Sequence, residues 1–195
     1  MNKNADYAIA LKVTKVTIDE KFDESRSKFF GKPTATEDVF ANVPAETIFF
    51  AQINLKEIKD LDPDNRLPHE GYLYFFLDTS KYPNEDFDML VEYSKTEPEC
   101  LITDYNDNSC MGDGLSTAYL ITFEKAEADY PGTKLLGIPS NYVDEYNDKP
   151  ELLLQYDPYD FDVPYLATLD GYAFVFFGRT KRTKFSDVLY IVEGS

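Results

Sequence analysis

The sequence predicts a mainly β, internally duplicated protein, an α+β chain with few short helices, in largely antiparallel sheets related by a pseudo-two-fold. Three observations carry this reading. Apolar runs rich in Phe, Tyr, Ile, Leu and Val recur between Gly, Pro, Asn and Asp, as strands and turns do. The same signposts then appear twice in the same order. Lys28-Phe29-Phe30-Gly31-Lys32-Pro33, the run 47–55 around Gln52, and Gly71-Tyr72-Leu73-Tyr74 are followed by Lys134-Leu135-Leu136-Gly137-Ile138-Pro139, the run 152–157 around Gln155, and Gly171-Tyr172-Ala173-Phe174. Finally, the separations fall steadily: 106 residues from Gly31 to Gly137, 103 from Gln52 to Gln155, 100 from Gly71 to Gly171, and 99 from Asp88 to Asp187. Short loop deletions in a second copy would leave such a series.

The first copy is assigned to 8–93 and the second to 117–193, joined by a linker at 94–116, within a single domain spanning 1–195. Residues 8–18 read as a strand. Its apolar phase slips between Val13 and Val16, which places a bulge near Thr14-Lys15. Gly31 and Pro33 mark a turn, and the stretch through Pro44 shows no period. The strand 46–53 leads to Asn54, a helix N-cap, with Glu57 three residues on completing a capping box before a short helix at 55–60. Residues 71–78 are apolar at every position through Leu77, as in a strand buried on both faces. A strand at 88–93 closes the copy. The second copy repeats the order, with strands at 117–123, 151–157, 171–177 and 187–193. Phe49, Phe75, Leu153 and Phe176 are expected in the core.

Composition bounds the function. The chain has 195 residues with 15 Phe and 15 Tyr, enough for a packed core. Its 36 Asp and Glu against 19 Lys and Arg give a net charge of −17. That balance repels phosphate backbones and anionic bilayers, so neither nucleic acid nor membrane is expected as a partner. It suits a basic protein partner. No signal-peptide pattern and no run long enough to span a bilayer are visible, so a cytoplasmic location is expected. The two cysteines, Cys100 and Cys110, read as free thiols there, although a small-loop disulfide stays open.

Candidate site residues are few. Gln52 and Gln155 are carboxamides at matching places, either lining a shared ligand cleft or satisfying backbone where strands diverge. Asp157 and Asp170 join them as ligand-binding candidates. Asp157, Asp160 and Asp162 form an acidic run suited to a basic partner. The run lacks the Gly and terminal Glu of an EF-hand loop, so no metal is assigned. The lone His69 sits beside Glu70, a pairing capable of proton transfer but without a placed nucleophile. No phosphate loop, zinc motif, nucleophile elbow or dinucleotide fingerprint occurs, and no cofactor is expected.

These motifs, with the closing Phe185-Ser186-Asp187-Val188, resemble the YwqG-like family of bacterial proteins of unknown function. Ala51-Gln52-Ile53-Asn54-Leu55 is the most specific part, and the likeness covers nearly the whole chain. Two departures stand out. Phe30-Gly31 stands where the family usually has Gly-Gly, and Thr168-Leu169-Asp170 where it often has Trp-Gly-Asp. The resemblance implies a mostly antiparallel β fold and no particular reaction. Two function classes follow. The preferred one is a non-enzymatic interaction protein, one that neutralises a basic toxin or engages another basic protein. The alternative is a ligand-binding or enzymatic module using the cleft between the halves.

Overall fold

The computed structural model describes residues 6–16, 23–44, 47–78, 80, 88–98, 117–140, 150–160, 171–178, 185 and 187–194. Among the described residues, ten strands form one antiparallel sheet in the order β10-β9-β8-β7-β1-β6-β2-β3-β4-β5. In chain order they are β1 (Tyr7–Lys15), β2 (Lys28–Phe29), β3 (Thr47–Asn54), β4 (Tyr72–Asp78), β5 (Asp88–Ser94), β6 (Tyr119–Glu127), β7 (Lys134–Leu135), β8 (Leu152–Tyr156), β9 (Gly171–Phe177) and β10 (Val188–Gly194). The two edge strands, β5 and β10, come back against each other, so the sheet curls into a nearly closed barrel. Of two 3-10 segments, η1 (Glu37–Asn42) packs over the outer face of β3 and β4, while η2 (Leu55–Leu61) turns Leu55 and Ile58 into the interior, and a third short turn lies at Pro158–Asp160.

The duplication is visible in the registers. Lys28 faces Gln52 across β2 and β3, and Lys134 faces Gln155 across β7 and β8. Gln52 faces Tyr74, and Gln155 faces Phe174. Phe76 faces Leu90, and Phe176 faces Leu189. The first strands are exchanged between the copies. β1 pairs with β7 of the other copy, β6 pairs with β2, and β1 and β6 pair with each other at the centre. Lys134 faces Ala10 and its counterpart Lys28 faces Leu120, so Ala10 matches Leu120 and the local two-fold passes through the Lys12–Thr122 pair.

The bulge expected near Thr14-Lys15 is absent, since β1 and β6 keep an even register from Tyr7 to Lys15. The irregularities lie instead at Phe50 and Leu153, between the paired residues on either side. Each bulged carbonyl receives a backbone N–H from a residue in left-handed conformation: Phe30 (φ 55) to Phe50, and Leu136 (φ 60) to Leu153. The extra residue turns its carbonyl toward that crossing loop, which an even ladder would not do.

The barrel interior holds one apolar cluster drawn from both copies, including Ile9, Phe29, Phe50, Phe75, Leu153, Tyr156 and Val175. Phe50 and Tyr156, from opposite copies, meet ring to ring at 5.1 Å. The outer face of β3 and β4 carries a second cluster, in which Phe49, Tyr72 and Phe76 pack under Ala35 and Val39. That cover explains why β4 is apolar on both faces, as its sequence implied. Phe49, Phe75, Leu153 and Phe176 are all buried. The 62–70 loop puts Leu67 into the interior cluster, and Arg66 forms a nearly buried ion pair with Glu151 of the other copy.

Candidate functional site

The polar groups under the crossing loops form two matched lattices. Gln52 is fully buried; its Nε2 donates to the carbonyls of Glu24 (3.0 Å) and Arg26 (2.8 Å), and its Oε1 accepts from the Thr34 N–H (2.9 Å). Gln155 does the same for the carbonyls of Pro131 (2.7 Å) and Gly132 (2.9 Å) and the Ser140 N–H (2.8 Å). Both amides face outward, beneath the loop of their own copy, because their cross-strand neighbours Tyr74 and Phe174 belong to the outer clusters. The structure therefore does not bring Gln52 and Gln155 into one cleft. Each saturates backbone groups that burial would otherwise leave unpaired.

Beside each amide lies a buried lysine. Lys28 Nζ donates to the Glu24 carboxylate (2.8 Å) and to Thr34 Oγ1 (3.2 Å). Lys134 Nζ donates to the carbonyls of Tyr130 and Ile138 and to Ser140 Oγ (3.3 Å). Burial pushes the Lys134 ammonium down to about 8, with Asp129 opposing the shift, and it lowers Lys28 against the pull of Glu24.

The second copy's acidic run has its counterpart in the first copy's helix cap. Asn54 Oδ1 accepts from the Lys56 N–H (3.1 Å), and Asp157 Oδ1 accepts from the Tyr159 N–H (2.9 Å). Glu57 accepts from the Ser27 N–H (3.0 Å), and Asp160 accepts from the Thr133 N–H (2.7 Å). The capping box is thus half realised, since Asn54 caps while Glu57 reaches Ser27 rather than back to Asn54. Asp157 is buried, which raises its pKa, and it is committed to this cap. Asp160 is exposed beyond its bond to Thr133. Asp162, Asp170, Cys100 and Cys110 lie outside the described residues. No group of three His, Cys, Asp or Glu that could hold a metal occurs among the described residues.

His69 pairs with Asp62 rather than with Glu70, which turns to Lys95 (2.7 Å). Asp62 is fully buried and was not singled out in the sequence. It accepts from Tyr7 Oη and from the N–H groups of Arg66 (3.1 Å) and Leu67 (2.8 Å). Burial opposes its charge, but these donors outweigh burial and hold its pKa below the ordinary carboxylate range.

Two concave surfaces stand out among the described residues. One, at the barrel seam, is lined by His69, Tyr93 and Phe185 among others. The larger is a groove of about 910 Å³ over the β1–β6 pair and the turn that follows β6. Its floor is low because Ala10 and Ala126 stand where larger side chains would fill the space. Asp6, Glu124, Glu127 and Asp129 line it, all exposed, against Lys12 and Lys125. Lys12 is drawn onto Tyr130: its Nζ donates to Tyr130 Oη (2.7 Å) and lies 4.8 Å from the ring centroid. That hydrogen bond, aided by Glu124 and Asp160, raises the Lys12 pKa. Tyr130 thus holds one of the two cations, and four carboxylates stay open to solvent.

A family profile described as a domain of unknown function, DUF1963, matches residues 27–172. The chain belongs to the DUF1963 family. The match takes in Lys28, Gln52, Lys134 and Gln155, while β1, β10 and most of β9 fall outside it. No curated protein matches the chain in sequence. Among the described residues of this DUF1963 protein, no helix is long and apolar enough to cross a membrane.

Proposed function

We propose that this DUF1963 protein is a non-enzymatic binding protein whose groove over β1 and β6 receives a basic protein partner, such as a cationic toxin. The observation that carries the reading is the lining of that groove, four exposed carboxylates around a floor of small residues. A concave acidic surface suits Lys and Arg side chains, which pair with carboxylates through charge-assisted hydrogen bonds. The net charge of −17 extends the attraction beyond contact range and would speed encounter. Of the acidic run in the second copy, Asp160 contributes to this field through its influence on Lys12. Asp157 serves its cap, and Asp162 lies outside the described residues. The alternative of a ligand-binding or enzymatic cleft between the halves draws on the same groove, since β1 comes from one copy and β6 from the other. Within the family we place the chain in the YwqG-like bacterial group, as a cytoplasmic protein.

The test is association kinetics with the partner recovered by affinity capture at low salt. Neutralising Glu124, Glu127 and Asp129 together should slow association more than neutralising the exposed Asp60, Asp64 and Asp88 by the same total charge. Raising ionic strength from about 0.1 M to about 1 M shortens the screening length from roughly 10 Å to roughly 3 Å and should erase most of the difference. Equal slowing by both triple variants would reduce the groove to a share of the overall charge and sink the assignment.

A further inference from the structure

We propose that the cavity at the barrel seam binds a small neutral aromatic molecule bearing an N–H or O–H donor, received by Nδ1 of His69. The cavity measures about 480 Å³ and is lined by Pro68, His69, Glu70, Tyr93, Lys95 and Phe185. Sites for small molecules commonly span roughly 300–1,000 Å³. Its walls come from three separate places: the 62–70 loop, the end of β5 with Lys95, and Phe185. It therefore exists only because the two edge strands meet.

The lining selects the ligand class. The Tyr93 and Phe185 rings lie 5.7 Å apart, and Phe185 is buried and backed by Phe177 at 6.1 Å. These rings offer stacking surface held from behind. The charged residues at the rim, Glu70 and Lys95, neutralise each other at 2.7 Å, which favours no net charge in the occupant. The Tyr93 hydroxyl is already turned to the Glu70 carbonyl (3.2 Å).

His69 supplies the specific contact. Its Nε2 lies 3.2 Å from Asp62 Oδ2. An ionised carboxylate only accepts, so this nitrogen carries the hydrogen. In the neutral ring, Nδ1 is then a fixed acceptor. Nδ1 has no hydrogen-bond partner among the described residues, and the ring lines the cavity. The buried Asp62, itself anchored by Tyr7 and two backbone N–H groups, sets the ring's tautomer and orientation. A histidine serving only to brace its loop would need the Asp62 contact and nothing in the cavity.

The chain has one histidine, so its ring nitrogens give an unambiguous signal in ¹⁵N NMR of the full chain. The probes are indole and phenol, with 1-methylindole and anisole as counterparts that lack the donor. Indole and phenol should shift the Nδ1 resonance saturably and bind about tenfold tighter than their methylated counterparts, the worth of one good hydrogen bond. His69→Phe should keep binding of the methylated probes and abolish the preference. Absence of any Nδ1 shift, equal binding of all four probes, or a preference that survives His69→Phe would overturn the proposal. If His69→Phe does not fold, Phe185→Ala serves instead. It should weaken all four probes, and unchanged binding in that variant would overturn the proposal too.

Discussion

The two copies agree where the chain must be held together and differ where it meets solvent. Under both crossing loops the same bonds recur: a glutamine bridging two carbonyls and an N–H, a buried lysine, and a carboxylate on the N–H of Ser27 or Thr133. Side-chain identities drift within that frame, from Asn54 to Asp157 and from Glu57 to Asp160, while the bond each makes is kept. A polar group preserved in both copies with all its partners inside is a fastening. The asymmetric features are the better candidates for function. Lys12 folds onto Tyr130 beside the acidic groove, and Asp62 and His69 serve the first copy's crossover loop.

The largest effect should come from separating the copies. Because β1 lies between β6 and β7, and β6 lies between β1 and β2, neither copy can complete its sheet alone. Each half expressed by itself should be unfolded by circular dichroism, and mixing or co-expression should restore the fold. A half that folds alone would break the reading of an exchanged strand.

Next come the fastenings. Gln52→Leu and Gln155→Leu should each cost about 2–4 kcal/mol, since each strands two carbonyls and an N–H without partners. Chemical denaturation would measure both, and the two costs should be similar. A large cost in one copy and none in the other would show that only one amide fastens its loop.

A smaller and pH-dependent effect should come from Lys134. Its folded pKa of about 8 lies below the ordinary 10.5, so between those values the unfolded chain holds more protons. Stability should therefore rise as pH climbs from about 8 toward 10.5, relative to Lys134→Met at each pH. A flat difference between the two proteins across that window would contradict a desolvated ammonium.

Much of this frame was legible in the sequence because a polar residue inside an apolar run is conspicuous. Gln52, Gln155 and the falling separations located the copies and the strands expected at 46–53 and 71–78, each within one residue of β3 and β4. The exchange of β1 and β6 was not legible, because nothing in an apolar strand names its distant partner. Strands β2 and β7 have two residues each and are followed by left-handed Phe30 and Leu136, so they carry no period to detect. The groove was hidden for a related reason. Ala10, Ala126 and four scattered acids become a surface only once β1 and β6 lie side by side. Asp62 and His69 stand seven residues apart in one turn-rich loop, and no periodic pattern tied them together.

The smallest stability effect should come from the groove itself. Neutralising Glu124, Glu127 and Asp129 should leave the denaturation midpoint nearly unchanged, within about 0.5 kcal/mol per site, as exposed positions do.

The function then rests on where a basic molecule lands. Amide chemical-shift mapping of the full chain, titrated with a lysine-rich peptide at low salt, addresses this directly. The perturbed amides should cluster at Asp6, Ala10, Lys12 and residues 124–130, and fade as salt is added. Shifts spread evenly over exposed acids such as Asp60, Asp64 and Asp88, with the groove no more affected than they are, would contradict it.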